Sequence, residues 1–380
     1  MFDLFNKGGE KAERTVKFAV VGLGWIAQEA VLPAFANAEN AELTALVSDD
    51  PVKLAELSKK YNVKHTYTYE QYELCLNNSD VDAVFIALPN NMHLEYTVRA
   101  AEAGVHVLCE KPLAMNAAEA RQMIEACSRG GVQLMTAYRL HFEEANLMAV
   151  EICNSGALGD LRLFSALNVQ NVESGNIRLD ATLTGGPLED LGVYCINAAR
   201  YIFQSEPLEV TAFAESSDNP RFREVPEMVS VIMRFPENRL AQFTCGFGEN
   251  KASTYHVFGT LGDLKLDPGF SFQGELKHIL TIKDEKPQET TYGKRDQFGP
   301  QLVHFADCIL NNEPVEPSGV EGLTDLVIID AIRESIATGR AVRMDLPQRD
   351  YRPTIEQEKK RRAIRKPDLI HADQPAADGK

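Results

Sequence analysis

Between Val16 and about Ala137, short apolar runs alternate with longer segments in which apolar residues recur at helical spacing. The runs Val16 to Val21, Glu42 to Val47, Val81 to Leu88, His106 to Cys109 and Val132 to Thr136 carry almost no polar interruption. Strands of a parallel sheet covered on both faces read this way. Between the runs the spacing predicts helices over Trp25 to Asn37, Pro51 to Tyr61, Glu70 to Asn77, His93 to Ala103 and Ala117 to Gly130. Pro51 suits a first helical turn, where its missing N–H has no partner to lose. Repeated strand-helix-strand crossovers predict a doubly wound sheet, which binds ligands at the carboxyl ends of its strands.

After about Leu140 the texture changes. A helix over Phe142 to Asn154 leads into a polar strand-like segment and a helix near Leu188 to Phe203. Strand-like runs then follow closely: Leu208 to Ala214, Met228 to Phe235, Leu240 to Cys245, Tyr255 to Gly259, Asp263 to Leu266 and His278 to Ile282. Short connections such as Pro236-Glu237-Asn238 favour hairpins, so this half reads as α+β with a large, mainly antiparallel open sheet. Helices over Pro300 to Asn311 and Val320 to Thr338 close it. Residues 1–15 form an extension, 16–140 a first domain and 141–345 a second, while 346–380 read as an arm whose end is disordered.

Composition narrows the partners. The formal charge of −16 has the wrong sign for coating a phosphate backbone or an anionic membrane. No apolar stretch approaches the roughly 20 residues that span a bilayer, and Met1 to Arg14 lacks the apolar region of a signal peptide, so a cytoplasmic location is expected. The seven cysteines are scattered and never form C-x-x-C, and the histidines show no ligand spacing; reduced thiols and no metal follow.

Gly22-Leu23-Gly24-Trp25-Ile26-Ala27 sits directly after the first strand and before an amphipathic helix, the context in which G-x-G-x-x-A binds a dinucleotide. The first glycine permits the turn, the second admits the pyrophosphate, and the small third residue lets helix and strand pack closely. Helix-start N–H groups then face the phosphates. Trp25 either covers the cofactor or fills a domain interface. At the end of the second strand, Ser48 can hydrogen-bond an adenosine 2′-phosphate and Lys53 lies one helical turn on, so NADP is expected, with NAD as the alternative. Asp49 and Asp50 serve the NAD reading or simply cap the next helix. Glu110-Lys111-Pro112 follows the strand His106 to Cys109, which places Lys111 at the sheet edge beside the nicotinamide end, where it can hold and acidify a substrate hydroxyl. On spacing alone, a solvated lysine is the competing reading.

Taken together, Gly22 to Ala27, Leu88-Pro89-Asn90 with His93, Glu110-Lys111-Pro112 and Gly185-Gly186-Pro187-Leu188-Glu189-Asp190-Leu191-Gly192-Val193-Tyr194 resemble the glucose-fructose oxidoreductase and inositol dehydrogenase (Gfo/Idh/MocA) family over about residues 16 to 345. Tyr138-Arg139-Leu140-His141 and Asp190 to Asn197 make the resemblance strongest to the glucose-fructose oxidoreductase branch. The resemblance implies a Rossmann domain followed by an α+β domain whose open sheet joins subunits as a homodimer or homotetramer. It also implies an NAD(P)-dependent oxidoreductase acting on a sugar or polyol, with Lys111, Asp190 and Tyr194 as catalytic residues. Gly22, Gly24, Trp25, Ile26, Ala27, Ser48, Lys53, Leu88, Pro89, Asn90, His93, Glu110, Lys111, Arg139 and Arg178 are the expected cofactor residues. Lys111, Tyr138, Asp190 and Tyr194 are the expected substrate residues. Asp190 and Tyr194, four apart on a predicted helix, share a face, and the charge of Lys111 eases loss of the hydroxyl proton as hydride departs. The chain departs from that branch at Thr184-Gly185-Gly186 and in lacking a tryptophan near Asn176 to Asp180, so an exchangeable cofactor is the simpler expectation. Two alternatives stay open: redox-assisted NAD-dependent glycoside hydrolysis, and a non-catalytic dinucleotide sensor.

Overall fold

The computed structural model describes residues 14–183, 185–349, 351–372 and 374. Most of the expected extension at 1–15, and nearly all of the arm's end, where disorder was expected, lie outside the described residues.

Six strands, β1 (Val16–Val21), β2 (Ala41–Val47), β3 (His65–Tyr67), β4 (Ala83–Ile86), β5 (His106–Cys109) and β6 (Leu134–Thr136), form a parallel sheet in the order β3-β2-β1-β4-β5-β6. This is the doubly wound order, with its reversal between β1 and β4. The near-continuous apolar strands follow from burial on both faces. Along β1, Phe18 and Val20 enter one core while Ala19 and Val21 enter another. Phe18, Phe85 and Phe305 are fully buried, each contributing about 1.5–3 kcal/mol by leaving water. Phe305 belongs to the distant helix Gly299–Asn311, which packs against the first sheet.

Register decides where the chemistry lies. Val21 stands beside Val47 and Ile86, Ile86 beside Cys109, and Cys109 beside Thr136. The chain segments leaving these strands, at Gly22, Ser48, Ala87, Glu110 and Ala137, therefore line one edge.

The second sheet comprises β7 (Leu161–Asn171), β8 (Glu209–Glu215), β9 (Met228–Phe235), β10 (Arg239–Gly246), β11 (Gly248–Gly259), β12 (Gly262–Leu266), β13 (Leu276–Ile282), β14 (Gln288–Tyr292) and β15 (Val342–Arg343). Its order is β14-β13-β12-β11-β7-β10-β9-β8-β15, antiparallel except where β10 pairs with β7. β9 and β10 are joined through Glu237 and Asn238, both at positive φ, the turn that matches strand twist. One face carries the helices Glu144–Asn154, Val193–Phe203 and Gly319–Thr338. The other face is open.

Several features differ from the sequence pattern. β3 and β15 are short edge strands of mixed polarity, with too few residues to show a period. The helix at 25–37 contains a π segment, Ala27–Val31, and a second π segment, Leu188–Gly192, opens the helix expected near Leu188 to Phe203. A 3.6-residue period does not report such widened turns, which often occur at functional sites.

Candidate active site

Gly22 has φ +91°, and a Cβ there would stand 2.6 Å from the Ala87 carbonyl oxygen. Both the turn and the approach of β4 require glycine. Gly24 differs: a Cβ on it meets no atom within 4 Å, so open space lies over the turn rather than packed protein. Ala27 is fully buried between helix and sheet, and Ile26 packs against the same core. The Trp25 ring lies 6.0 Å from Phe272 of the second half and 5.9 Å from the Arg178 guanidinium, and its Nε1 is buried without a hydrogen-bond partner. Open space, an unsatisfied donor and a helix start fit a dinucleotide pyrophosphate.

At the end of β2, Ser48 is nearly buried and its Oγ accepts the Asp50 N–H at 3.2 Å. Each acid has one carboxylate oxygen engaged by the backbone. Asp49 Oδ1 accepts the Tyr69 N–H at 2.8 Å, while Asp50 Oδ1 caps the helix Pro51–Tyr61 through Val52 and Lys53 N–H groups at 2.9 and 3.1 Å. Lys53 lies half-buried in that first turn.

Lys111 leaves β5 and crosses to the second half. Its Nζ donates to the Asp190 carbonyl at 2.9 Å and to Asp190 Oδ1 at 3.1 Å, while Arg178 Nε donates to Oδ2 at 2.8 Å. Burial works against the Asp190 carboxylate, but Arg178 and Lys111 outweigh it and hold the group well below the usual carboxylate range. Burial likewise opposes the Lys111 charge, yet Tyr194, Asp190 and Glu110 outweigh it and raise the ammonium above its ordinary value. Tyr194 is gripped by its ring: Lys111 Nζ lies 4.9 Å and the Arg139 guanidinium 5.0 Å from its centroid, with Phe270 at 6.1 Å. The structure thus brings Lys111, Asp190, Tyr194 and Arg178 together. Glu110 sits beneath them. Burial pushes its carboxyl up to about 7 against the pull of Lys111, and its Oε1 is buried without a hydrogen-bond partner.

Other expected residues serve the site indirectly. His93 is fully buried, with Nδ1 3.1 Å from the Pro112 carbonyl and Nε2 3.0 Å from that of Leu88. It joins the Leu88-Pro89-Asn90 loop to the loop after Lys111 and does not face the cleft, correcting its expected place among the cofactor contacts. Asn90 opens the short turn Asn90–Met92, and the Asn91 N–H reaches the Leu183 carbonyl at 3.3 Å, tying this loop to the second half. Arg139 is also buried; it donates to Gln297 and the Phe270 carbonyl and backs Tyr194, so its guanidinium is engaged by protein. Tyr138 does not line the cleft as expected: it is 4% exposed and its hydroxyl donates to Asp325 at 2.6 Å.

That bond enters a buried network. Arg200, fully buried, pairs with Glu206, Glu321 and Asp325, and Asn197 donates to Glu321 and Asp325 at 3.0 and 2.9 Å. The helix Val193–Phe203, which carries Tyr194 at its start, is thereby fixed to Gly319–Thr338. Phe270, Phe272 and Gln297 lie in loops without a period and carry no local signal; only the tertiary fold brings Phe270 to Tyr194, Phe272 to Trp25 and Gln297 to Arg139.

A doubly wound sheet, a glycine turn open above its second glycine and a lysine-carboxylate-tyrosine cluster at the same edge define a dinucleotide-dependent oxidoreductase. Comparison with known proteins makes the class specific: residues 16–138 match the oxidoreductase family with an NAD-binding Rossmann fold, and residues 147–265 match the GFO/IDH/MocA C-terminal domain. The chain belongs to the Gfo/Idh/MocA oxidoreductase family. It is 35% identical to the aldose-aldose oxidoreductase of Caulobacter crescentus, solved with glycerol, with a TM-score of 0.83 over 87% of this chain and 100% of that one. The NADP(+)-linked D-xylose 1-dehydrogenase of Haloarcula marismortui is 29% identical over 88% of this chain and 94% of its own length. A 3-ketoreductase from Actinomadura kijaniata, solved with NADP and TDP-benzene, is 25% identical with a TM-score of 0.78 over 85% of this chain and 98% of its own.

Proposed function

We propose that this protein transfers hydride between NADP(H) and a carbinol carbon of an aldose or polyol, with Lys111, Asp190 and Tyr194 as its catalytic group. The observation that carries the reading is Lys111 held between Asp190 and the ring of Tyr194 at the sheet edge. The nicotinamide, when bound, supplies the hydride acceptor. Lys111 Nζ orients the substrate hydroxyl and stabilises negative charge on its oxygen as the C–H bond breaks. Tyr194 Oη accepts the O–H proton while releasing its own to solvent, and the sequence reverses for reduction. Asp190, ionised between two cations, does not act as the acid; it fixes the direction of Lys111. Tyr138 is left out of the substrate set and His93 out of direct cofactor contact.

NADP is favoured by the two similar proteins linked to NADP. The uncovered face of the second sheet supports a dimer or tetramer. Seven free, buried cysteines support a cytoplasmic location; among the described residues no helix is long and apolar enough to cross a membrane.

The test is a screen of aldoses and polyols with each cofactor, following reduced nicotinamide. Turnover with at least one sugar is expected, and Lys111→Met should lower kcat by about 10²–10⁴-fold. Absence of turnover with every sugar, or a fully active Lys111→Met, would refute the reading.

A further inference from the structure

The described part of the C-terminal arm reaches the cofactor turn at Ile370 and His371. It runs back over the molecule through Lys359 to Asp307, Lys360 to Glu144 and Arg361 to Glu39. Lys60 Nζ then donates to the Asp368 carbonyl at 3.1 Å. Beyond that point the Gln28 carboxamide, 1% exposed, pairs with the backbone of Ile370 in both directions, each bond 2.8 Å. The same Gln28 Nε2 donates to the carbonyl of Leu23, between the two glycines of the turn, at 2.9 Å. One residue later His371 meets Asp50, with Nδ1 2.9 Å from Oδ2.

The position of that last contact matters. In a sheet of this order the adenosine ribose lies over the end of β2, where Ser48, Asp49 and Asp50 stand. Two carboxylates beside a ribose suit a free diol and repel a 2′-phosphate. Asp49 has a backbone N–H on one oxygen. On Asp50, one oxygen caps the helix and the other meets a side chain brought by the arm from 321 residues away.

We infer that the C-terminal arm is part of the cofactor site and that His371 is a specificity-determining residue: by occupying Asp50 Oδ2 it withholds that oxygen from a ribose diol and tilts the site toward NADP over NAD. The inference rests on the proposed dinucleotide reading. It assigns no contact between His371 and the phosphate; the effect runs through Asp50. Arm and turn are one unit, with Gln28 holding the strap against the backbone that faces the pyrophosphate.

The test is a cycle in the full chain, with dissociation constants for NADP and NAD read from the fluorescence of Trp25, the one tryptophan. The chains are the native one, His371→Ala, Asp50→Asn and the double variant. Asparagine is also a good N-cap, so Asp50→Asn removes charge and keeps the helix start. His371→Ala should weaken NADP about three- to fivefold relative to NAD, the scale of an exposed polar contact. In the Asp50→Asn background the same substitution should leave the ratio unchanged. An unchanged ratio in the single variant, or an equal change in both backgrounds, overturns the inference while leaving NADP binding intact. A native chain that binds neither dinucleotide instead overturns the proposed function.

Discussion

Lys111 and Glu110 are neighbours in sequence with opposite relations to water. Lys111 keeps its charge because acidic groups surround it, whereas Glu110 has lost solvent without gaining a full set of partners. Its carboxyl, raised to about 7 in the folded chain from an ordinary value of 4.5, contributes stability that is complete below the unfolded value and is lost as pH rises through about 7. Glu110→Gln keeps the neutral shape. The variant should gain Tm relative to the native chain at about pH 8 and not at about pH 5. Thermal scans at both values check this, and an equal difference at both would remove Glu110 as the titrating group. Asp190 shows the converse case, a buried carboxylate kept ionised by two cations, which is why a positioning role is proposed for it and proton transfer for Tyr194.

At the scale of elements, the glycine turn separates stability from binding. Gly22 answers to the fold: Ala there would adopt an unfavourable φ and press on the Ala87 backbone, costing about 1–3 kcal/mol or more. Gly24 answers to the ligand. Gly24→Val should leave urea stability close to native and weaken dinucleotide binding by about tenfold or more, or ~1.4 kcal/mol. Denaturation and binding titrations on both variants distinguish these roles; a large loss of stability in Gly24→Val would contradict them. The π segment Leu188–Gly192 belongs to this scale too, because the Asp190 carbonyl is taken by Lys111 Nζ. Asp190 and Tyr194 still reach one lysine, as the four-residue spacing suggested, but through a widened turn that the pattern did not reveal.

At the scale of the molecule, the second sheet is covered on one face and open on the other. β9 alternates buried Val229, Val231, Met233 and Phe235 with exposed positions, and Phe213 and Ile232 are 68% and 48% exposed on the open side, with Leu240 and Leu167 nearby. Exposed apolar side chains set among polar ones on an uncovered sheet face suit an interface, and a second copy of the chain is the proposed cover. Phe213→Glu with Ile232→Glu should reduce the sedimenting species to a single chain with little change in secondary structure. A native chain that already sediments alone would refute the assembly.

The sequence by itself determined the two-part architecture, most strand and helix limits, the cofactor turn and the three residues that meet at its edge. Local periodicity and turn chemistry carry that information, and Gly22, Lys111, Asp190 and Tyr194 each stand in a legible context. Only the tertiary structure decided which polar residues face the cleft. Tyr138, His93 and Arg139 had the right neighbours in sequence, yet Asp325, the Leu88 and Pro112 carbonyls, and Gln297 draw them inward. Phe272 and the arm reach the site from distant parts of the chain, at Trp25 and at Gln28. Partners so distant in sequence leave no local pattern, because a buried polar group is satisfied by whatever the fold places beside it.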